Sequence, residues 1–159
     1  MCYNATISII SYVVGIVGCR RLFNQNYLAE TLFYLVVCSM QLFEFFIHMN
    51  PYCGNINYQI TKIGIAINHL EPVALYIGIK FQRTSTKFLD YMMYLYSPVA
   101  FFYTVHAWNT SQCTQITEYS YPHLHWAFNQ IYGSIMFYAF FLTVLVLLSL
   151  IGLRNGSDW

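Results

Sequence analysis

The sequence predicts an all-α integral membrane protein: one bundle of five transmembrane helices, with the N-terminus outside and the C-terminus in the cytoplasm. Two features of the composition point to this class. Charged residues make up only 8% of the 159 residues, against about 25% in typical soluble domains, and 58% are hydrophobic. Apolar stretches recur five times along the chain, each close to the roughly 20 residues that cross a bilayer as a helix. We therefore expect a multi-pass protein of the lipid bilayer.

The predicted spans are residues 3–19, 27–48, 60–79, 88–108 and 131–153, within a single domain of residues 1–159. The first span is followed by Arg20 and Arg21, whereas a signal peptide carries its positive charge before the apolar run, so we expect a retained helix. Its small residues recur at steps of three and four and favour close helix packing; they are Asn4, Ser8, Ser11, Gly15 and Gly18.

The later spans differ in polarity. Residues 88–108 contain Pro98 and carry a polar stripe, formed by Asp90, Tyr94, Ser97, Thr104 and Trp108. The connection after this span is rich in aromatic residues near residues 119–126, which is typical of a segment at the membrane interface. Residues 131–153 form the least polar span and are expected to pack against other helices or face lipid.

The distribution of positive charge predicts the orientation. With five spans, six of the seven Lys and Arg residues fall on one side, and only Lys62 falls on the other. The side with more positive charge in its loops normally faces the cytoplasm. The net charge of +1 and the absence of a basic run give no reason to expect a nucleic-acid partner.

Two polar stripes enter the second and third spans. Glu30, Gln41, Glu44 and His48 are spaced by 11, 3 and 4 residues, which places them along one helix face. The third span carries a matching stripe, composed of Thr61, Gly64, Asn68, Glu71, Pro72 and Gly78. A carboxylate in hydrocarbon costs about 2.5–3.5 kcal/mol on an insertion scale, so Glu44 and Glu71 are candidates for function.

Pro72 adds a predicted kink beside Glu71. Proline has no amide hydrogen to donate to the carbonyl of Asn68, and its ring disfavours a straight helix. Carbonyl groups freed in this way coordinate ions in some transporters, although prolines in membrane helices also occur for structural reasons.

Three cysteines fall on the predicted outer side, where a disulfide can persist: Cys2, Cys53 and Cys113. We favour a bond between Cys53 and Cys113 because both lie on loops.

No cofactor is predicted, but two alternatives remain open. Glu44 and His48 have the i, i+4 spacing of two metal ligands, and a haem could be held between His48 and His106. No nucleophile motif or nucleotide-binding fingerprint is present, so enzymatic activity is not expected.

The sequence resembles one family in three places. Its opening, Met1-Cys2-Tyr3-Asn4-Ala5, resembles that of a family of small polytopic membrane proteins of unknown function, which opens Met-Cys-Phe-Ser-Ala. Residues 40–48 are similar to the family's Gln-Gln-x-x-Glu-Gly-x-x-Trp segment, with Phe45 in place of Gly and His48 in place of Trp. Residues 125–128, His-Trp-Ala-Phe, resemble the aromatic opening of the last helix. The resemblance implies a helical membrane protein in which Gln41 and Glu44 are important, and it supplies no reaction.

The function favoured by these patterns is movement of protons or a small solute along the polar stripes. The predicted path comprises Glu30, Gln41, Glu44, His48, Asn68, Glu71 and Pro72. The first alternative is a scaffold or assembly protein in which the stripes only specify helix packing. The second is a redox protein that binds haem or metal. Assembly as a homo-oligomer is compatible with the predicted bundle, but the sequence does not require it.

Overall fold

The computed structural model describes residues 4–116, 124–126 and 131–153, and these residues are almost entirely helical. The α-helices are α1 (Ala5–Asn24), α2 (Leu28–Met49), α3 (Asn55–His69), α4 (Glu71–Phe81), α5 (Lys87–Thr110) and α6 (Ser134–Leu147). A π-helical segment, Leu148–Leu153, continues α6. Two short strands, β1 (Gln115–Ile116) and β2 (Leu124–His125), pair antiparallel with Gln115 opposite His125.

Three helices among the described residues are long and apolar enough to cross a membrane: α1, α2 and Ser134–Gly152. They mark the chain as a membrane protein. The predicted spans 60–79 and 88–108 are not among these helices. The first is divided in two, and α5, although 24 residues long, carries many tyrosines that lower its hydropathy. Five crossings therefore remain a prediction.

The prediction of one helix over residues 60–79 is wrong. The structure begins α3 at Asn55, ends it at His69 and starts α4 at Glu71, with Leu70 between them. Pro72 is the physical reason, because it lacks an amide hydrogen and restricts the backbone of the residue before it. It lies in the first turn of α4, where an amide hydrogen has no partner within the helix. Pro72 thus starts a helix rather than kinking one.

Two other helices are longer than predicted. α1 continues through Arg20 and Arg21 to Asn24, and the Asn4 side chain caps its start by accepting a hydrogen bond from the Ile7 amide at 2.9 Å. α5 runs straight through Pro98 to Thr110.

The polar stripe predicted for α5 does not face the core. Tyr94 is 77% exposed and Ser97 is also exposed. The buried face consists instead of Leu89, Met93, Tyr96, Ala100 and Ala107. Apolar burial therefore decides how α5 is rotated, and Tyr94, whose ring suits a membrane interface, points outward.

Close helix contacts use some of the predicted small residues. A Cβ atom added to Gly15 of α1 would lie 2.2 Å from Sγ of Cys38 in α2, and one added to Gly78 of α4 would lie 2.2 Å from Cα of Ala29 in α2. Gly18 has nothing within 4 Å of its Cβ position, so it is not part of a contact within the molecule. α2 is therefore the central helix, with α1 and α4 packed closely against it.

The two ends of the bundle differ in chemistry. At one end, the Gln82 side chain donates to the Asn26 carbonyl at 3.3 Å, which joins the α1–α2 turn to the α4–α5 turn. Lys80 lies there and donates to Asp90 at 2.9 Å, a hydrogen bond that raises the pKa of the lysine. At the other end, a disulfide joins Cys53 to Cys113, the pair favoured by the sequence, whereas Cys2 lies outside the described residues. We call these the basic end and the disulfide end.

Candidate functional site

A cavity of about 440 Å³ lies between α2, the α3–α4 junction and α6. It is lined by Val37, Met40, Gln41, Glu44, Asn68, Glu71, Trp126, Tyr138, Phe141 and Leu142. We call it the carboxylate cavity, because both carboxylates singled out in the sequence contribute to its wall. It also contains the two amides that were predicted beside them.

The helix geometry explains why these four polar residues meet. Gln41 and Glu44 are three residues apart on α2 and so share a face. Asn68 and Glu71 are also three residues apart and lie on either side of Leu70, whose backbone keeps a right-handed helical conformation at φ −84° and ψ −8°. The break therefore preserves the common face. Glu44 is 3% exposed, and Gln41, Asn68 and Glu71 are half-buried.

The other predicted path residues do not line this cavity. Glu30 is in the first turn of α2, about 16 Å along the helix from Gln41. Its Oε2 atom is buried and has no hydrogen-bond partner among the residues that the structure describes. His48 is in the last turn of α2, and Pro72 is buried within the first turn of α4. The cavity thus brings together four residues of the predicted path and leaves out Glu30, His48 and Pro72.

Trp126 lines the carboxylate cavity. It was expected at the membrane interface. It is only 4% exposed and packs on α3, where a Cβ atom added to Gly64 would lie 2.9 Å from Cζ3 of the indole. Glycine at position 64 leaves the room that the ring occupies. An aromatic residue close to a predicted interface gives no indication of such burial, because Trp is common in both settings.

A second cavity, of about 360 Å³, lies on the opposite side of the α3–α4 junction. It is lined by Ala66, His69, Leu70, Val73, Ser97, Ala100, Phe101 and Thr104. We call it the histidine cavity. His69, which was not among the predicted path residues, is part of its lining.

His69 is buried, at 3% exposure, and both of its ring nitrogens have hydroxyl partners. Nδ1 lies 2.7 Å from Oγ1 of Thr104, and Nε2 lies 3.1 Å from the hydroxyl of Tyr138. The Tyr96 hydroxyl donates to the His69 backbone carbonyl at 2.8 Å. The ring also meets Phe137 edge to face, with 4.7 Å between the ring centroids. These contacts fix the imidazole at the α3–α4 junction.

No group of three or more His, Cys, Asp or Glu side chains within residues 4–116, 124–126 and 131–153 is arranged to hold a metal ion. The metal and haem alternatives remain predictions.

The fold and these two cavities define the class: an all-α membrane protein with polar side chains enclosed between its helices. No family model matches the chain, and no significant match to it is found among curated proteins or solved structures. The resemblance to a family of small polytopic membrane proteins, which covers chiefly the first 50 residues, stays a prediction.

Proposed function

We propose that this protein moves protons or a small solute across a membrane, with Glu44 and Glu71 as the exchanging carboxylates. The observation that carries the proposal is the carboxylate cavity, into which α2 and the α3–α4 junction each bring one carboxylate and one amide. In this proposal Gln41 and Asn68 orient the carboxylates, and the chain crosses the bilayer five times.

Physical chemistry supports a functional role for this arrangement. Ionisable groups inside a membrane are costly and usually mark ion pathways or proton relays. An apolar contact between α2 and α4 would pack these helices without that cost, and Gly78 on Ala29 provides such a contact. The carboxylates are therefore not needed merely to hold the two helices together.

The charge distribution supports the predicted orientation. The basic end collects the helix ends and the turn that carry Arg20, Arg21, Lys80, Arg83 and Lys87. In this proposal the basic end faces the cytoplasm and the disulfide end faces outside.

The test is proton flux in proteoliposomes under an imposed potassium diffusion potential, followed with an enclosed pH dye. The parent chain should take up protons, and Glu71→Gln should reduce the rate by at least about a hundredfold, the lower range for loss of a proton-transfer group. Asp90→Asn is the matched control, since its carboxylate lies at the basic end, hydrogen-bonded to Lys80, and does not line the cavity.

The controls make the result decisive. All variants should elute at the same volume on size-exclusion chromatography before reconstitution. No proton flux in the parent would exclude proton movement, and equal loss in Glu71→Gln and Asp90→Asn would exclude a specific role for the cavity.

The rival proposal is a scaffold in which buried polar groups specify helix packing. It is favoured by the disulfide end, where Asn57 is fully buried and hydrogen-bonded to the backbone of both Asn50 and Thr114. That cluster is distinct from the carboxylate cavity and has no carboxylate. The scaffold proposal predicts no flux in the parent or in any variant above, and loss of folding in Glu71→Gln.

A further inference from the structure

We propose that protons leave the carboxylate cavity through a relay formed by Tyr138, His69 and Thr104, which delivers them to the histidine cavity. This inference rests on the proposed function and names the route by which the proton continues. It assigns a role to three residues outside the predicted path.

The relay is a continuous set of hydrogen bonds between the two cavities. Tyr138 lines the carboxylate cavity, where the Asn68 amide donates to its hydroxyl at 3.5 Å. His69 and Thr104 line the histidine cavity. The His69 ring lies between the two hydroxyls, 3.1 Å from one and 2.7 Å from the other. No backbone group interrupts this sequence of contacts.

The ring chemistry suits proton transfer. A neutral imidazole has one donor nitrogen and one acceptor nitrogen, whereas a hydroxyl can both donate and accept. Either tautomer of His69 therefore forms both hydrogen bonds. An arrangement in which only one tautomer fitted would hold the ring but could not pass a proton through it.

The transfer conserves protons at every atom. The Tyr138 hydroxyl gives its proton to Nε2 of His69, while Nδ1 gives its own proton to Oγ1 of Thr104. Thr104 releases its original hydroxyl proton into the histidine cavity, and the Tyr138 oxygen regains one from the carboxylate cavity. One proton has moved, and the imidazole is again neutral but in the other tautomer. The original tautomer must be restored before the next transfer.

The two cavities extend toward different ends of the molecule. The carboxylate cavity includes Glu44 and Trp126, which lie toward the disulfide end. The histidine cavity extends along α5 from Thr104 to Ser97, about 10 Å toward the basic end. A lateral step at His69 therefore also carries the proton from one half of the bundle toward the other.

The test uses the same flux assay with three substitutions of threonine. Thr104→Val removes the hydroxyl with almost no change of shape and should lower proton flux by at least about a hundredfold. Thr104→Ser keeps the hydroxyl and should retain most of the flux. Thr143→Val is the matched control, because the Thr143 hydroxyl only donates to the Ala139 carbonyl in its own helix.

A second pair of variants tests the imidazole itself. His69→Gln keeps hydrogen-bonding groups but cannot exchange tautomers, so flux should fall as in Thr104→Val. His106→Gln changes the histidine of α5. His106 does not line either cavity, so this change should leave flux unchanged. Circular dichroism and elution volume report whether each variant folds.

Each outcome decides the relay. Parent flux that is abolished by Glu71→Gln but unchanged in Thr104→Val and His69→Gln overturns the relay and leaves the proposed function standing. Equal loss in Thr104→Ser and Thr104→Val also overturns it, since the hydroxyl would not be the relevant group. No flux in the parent overturns both proposals together.

Discussion

At the scale of single residues, Asn57 in the first turn of α3 is a buried side chain whose amide nitrogen and oxygen are both hydrogen-bonded. Its amide nitrogen donates to the carbonyls of Asn50 and Thr114 at 3.0 Å each, and its Oδ1 accepts from the Thr114 amide at 3.1 Å. Thr61 closes the cluster with a 2.9 Å hydrogen bond to the Thr114 hydroxyl. One buried amide therefore ties together three segments next to the disulfide.

Asn57→Ala should lower the free energy of unfolding by about 1–3 kcal/mol, because it removes the donor to the buried Thr114 carbonyl and leaves the Thr114 amide with Thr61 Oγ1 as its acceptor. Asn55→Ala is the control, since Asn55 begins the same helix but is exposed. The measurement is unfolding in mixed micelles of increasing dodecyl sulfate fraction. Equal destabilisation by both changes would mean that the buried cluster contributes nothing beyond an ordinary helix end.

At the scale of helices, the contact of α4 with α2 depends on the absence of a side chain at Gly78. The Ala29 backbone occupies the space into which a Cβ atom would project, and backbone cannot move aside as a flexible side chain can. Small residues allow this close approach between membrane helices, where association relies on packing. The contact supports the helix that carries Glu71.

Gly78→Ala should destabilise the protein by about 1–3 kcal/mol, the usual cost of overpacking, despite the better helix propensity of alanine. Gly18→Ala should be neutral or slightly stabilising, because its Cβ position is open. The measurement is the temperature at which each variant and the parent aggregate on heating in detergent. A stable Gly78→Ala variant would show that α2 and α4 separate at little cost.

At the scale of the whole molecule, the disulfide closes a loop over a sequence separation of 60 residues. It joins the α2–α3 connection to the segment after α5, and so holds together the end of the bundle farthest from the basic turns. A cross-link of this span stabilises mainly by restricting the unfolded chain.

Cys53→Ser with Cys113→Ser should lower the free energy of unfolding by about 2–4 kcal/mol. Unfolding of the parent in the presence of a reducing agent should match that of the double variant. The double variant should itself be insensitive to the reducing agent. A parent that is equally stable with and without reduction would show that the cross-link restricts little in the unfolded state.

Orientation is also a property of the whole molecule. In a background without Cys2, Cys19 and Cys38, an impermeant maleimide should label Asn109→Cys in intact cells but label Gln25→Cys only after permeabilisation. Both positions are exposed and uncharged. Asn109 is in the last turn of α5, at the disulfide end, and Gln25 directly follows α1, at the basic end. The reverse pattern would invert the proposed topology.

Several features of this protein follow from the sequence alone. Helix-length apolar runs identify α1, α2 and the last helix, because any backbone crossing hydrocarbon must satisfy its own hydrogen bonds. A period of 3.6 residues places Gln41 with Glu44 on one face, and loop positions favour the bond between Cys53 and Cys113. These are local properties, and each depends on only a few neighbouring residues.

The remaining features were decided by tertiary packing. Pro72 predicts a disturbance of the helix, but whether it kinks one helix or starts another depends on what surrounds Leu70. The rotation of α5 also depends on packing. The contact of Trp126 with Gly64 and the hydrogen bonds of His69 to Tyr138 and Thr104 join residues 35 to 69 positions apart. No periodicity within one helix contains such distances. Only the way in which α5 and α6 pack against the α3–α4 junction brings these side chains together.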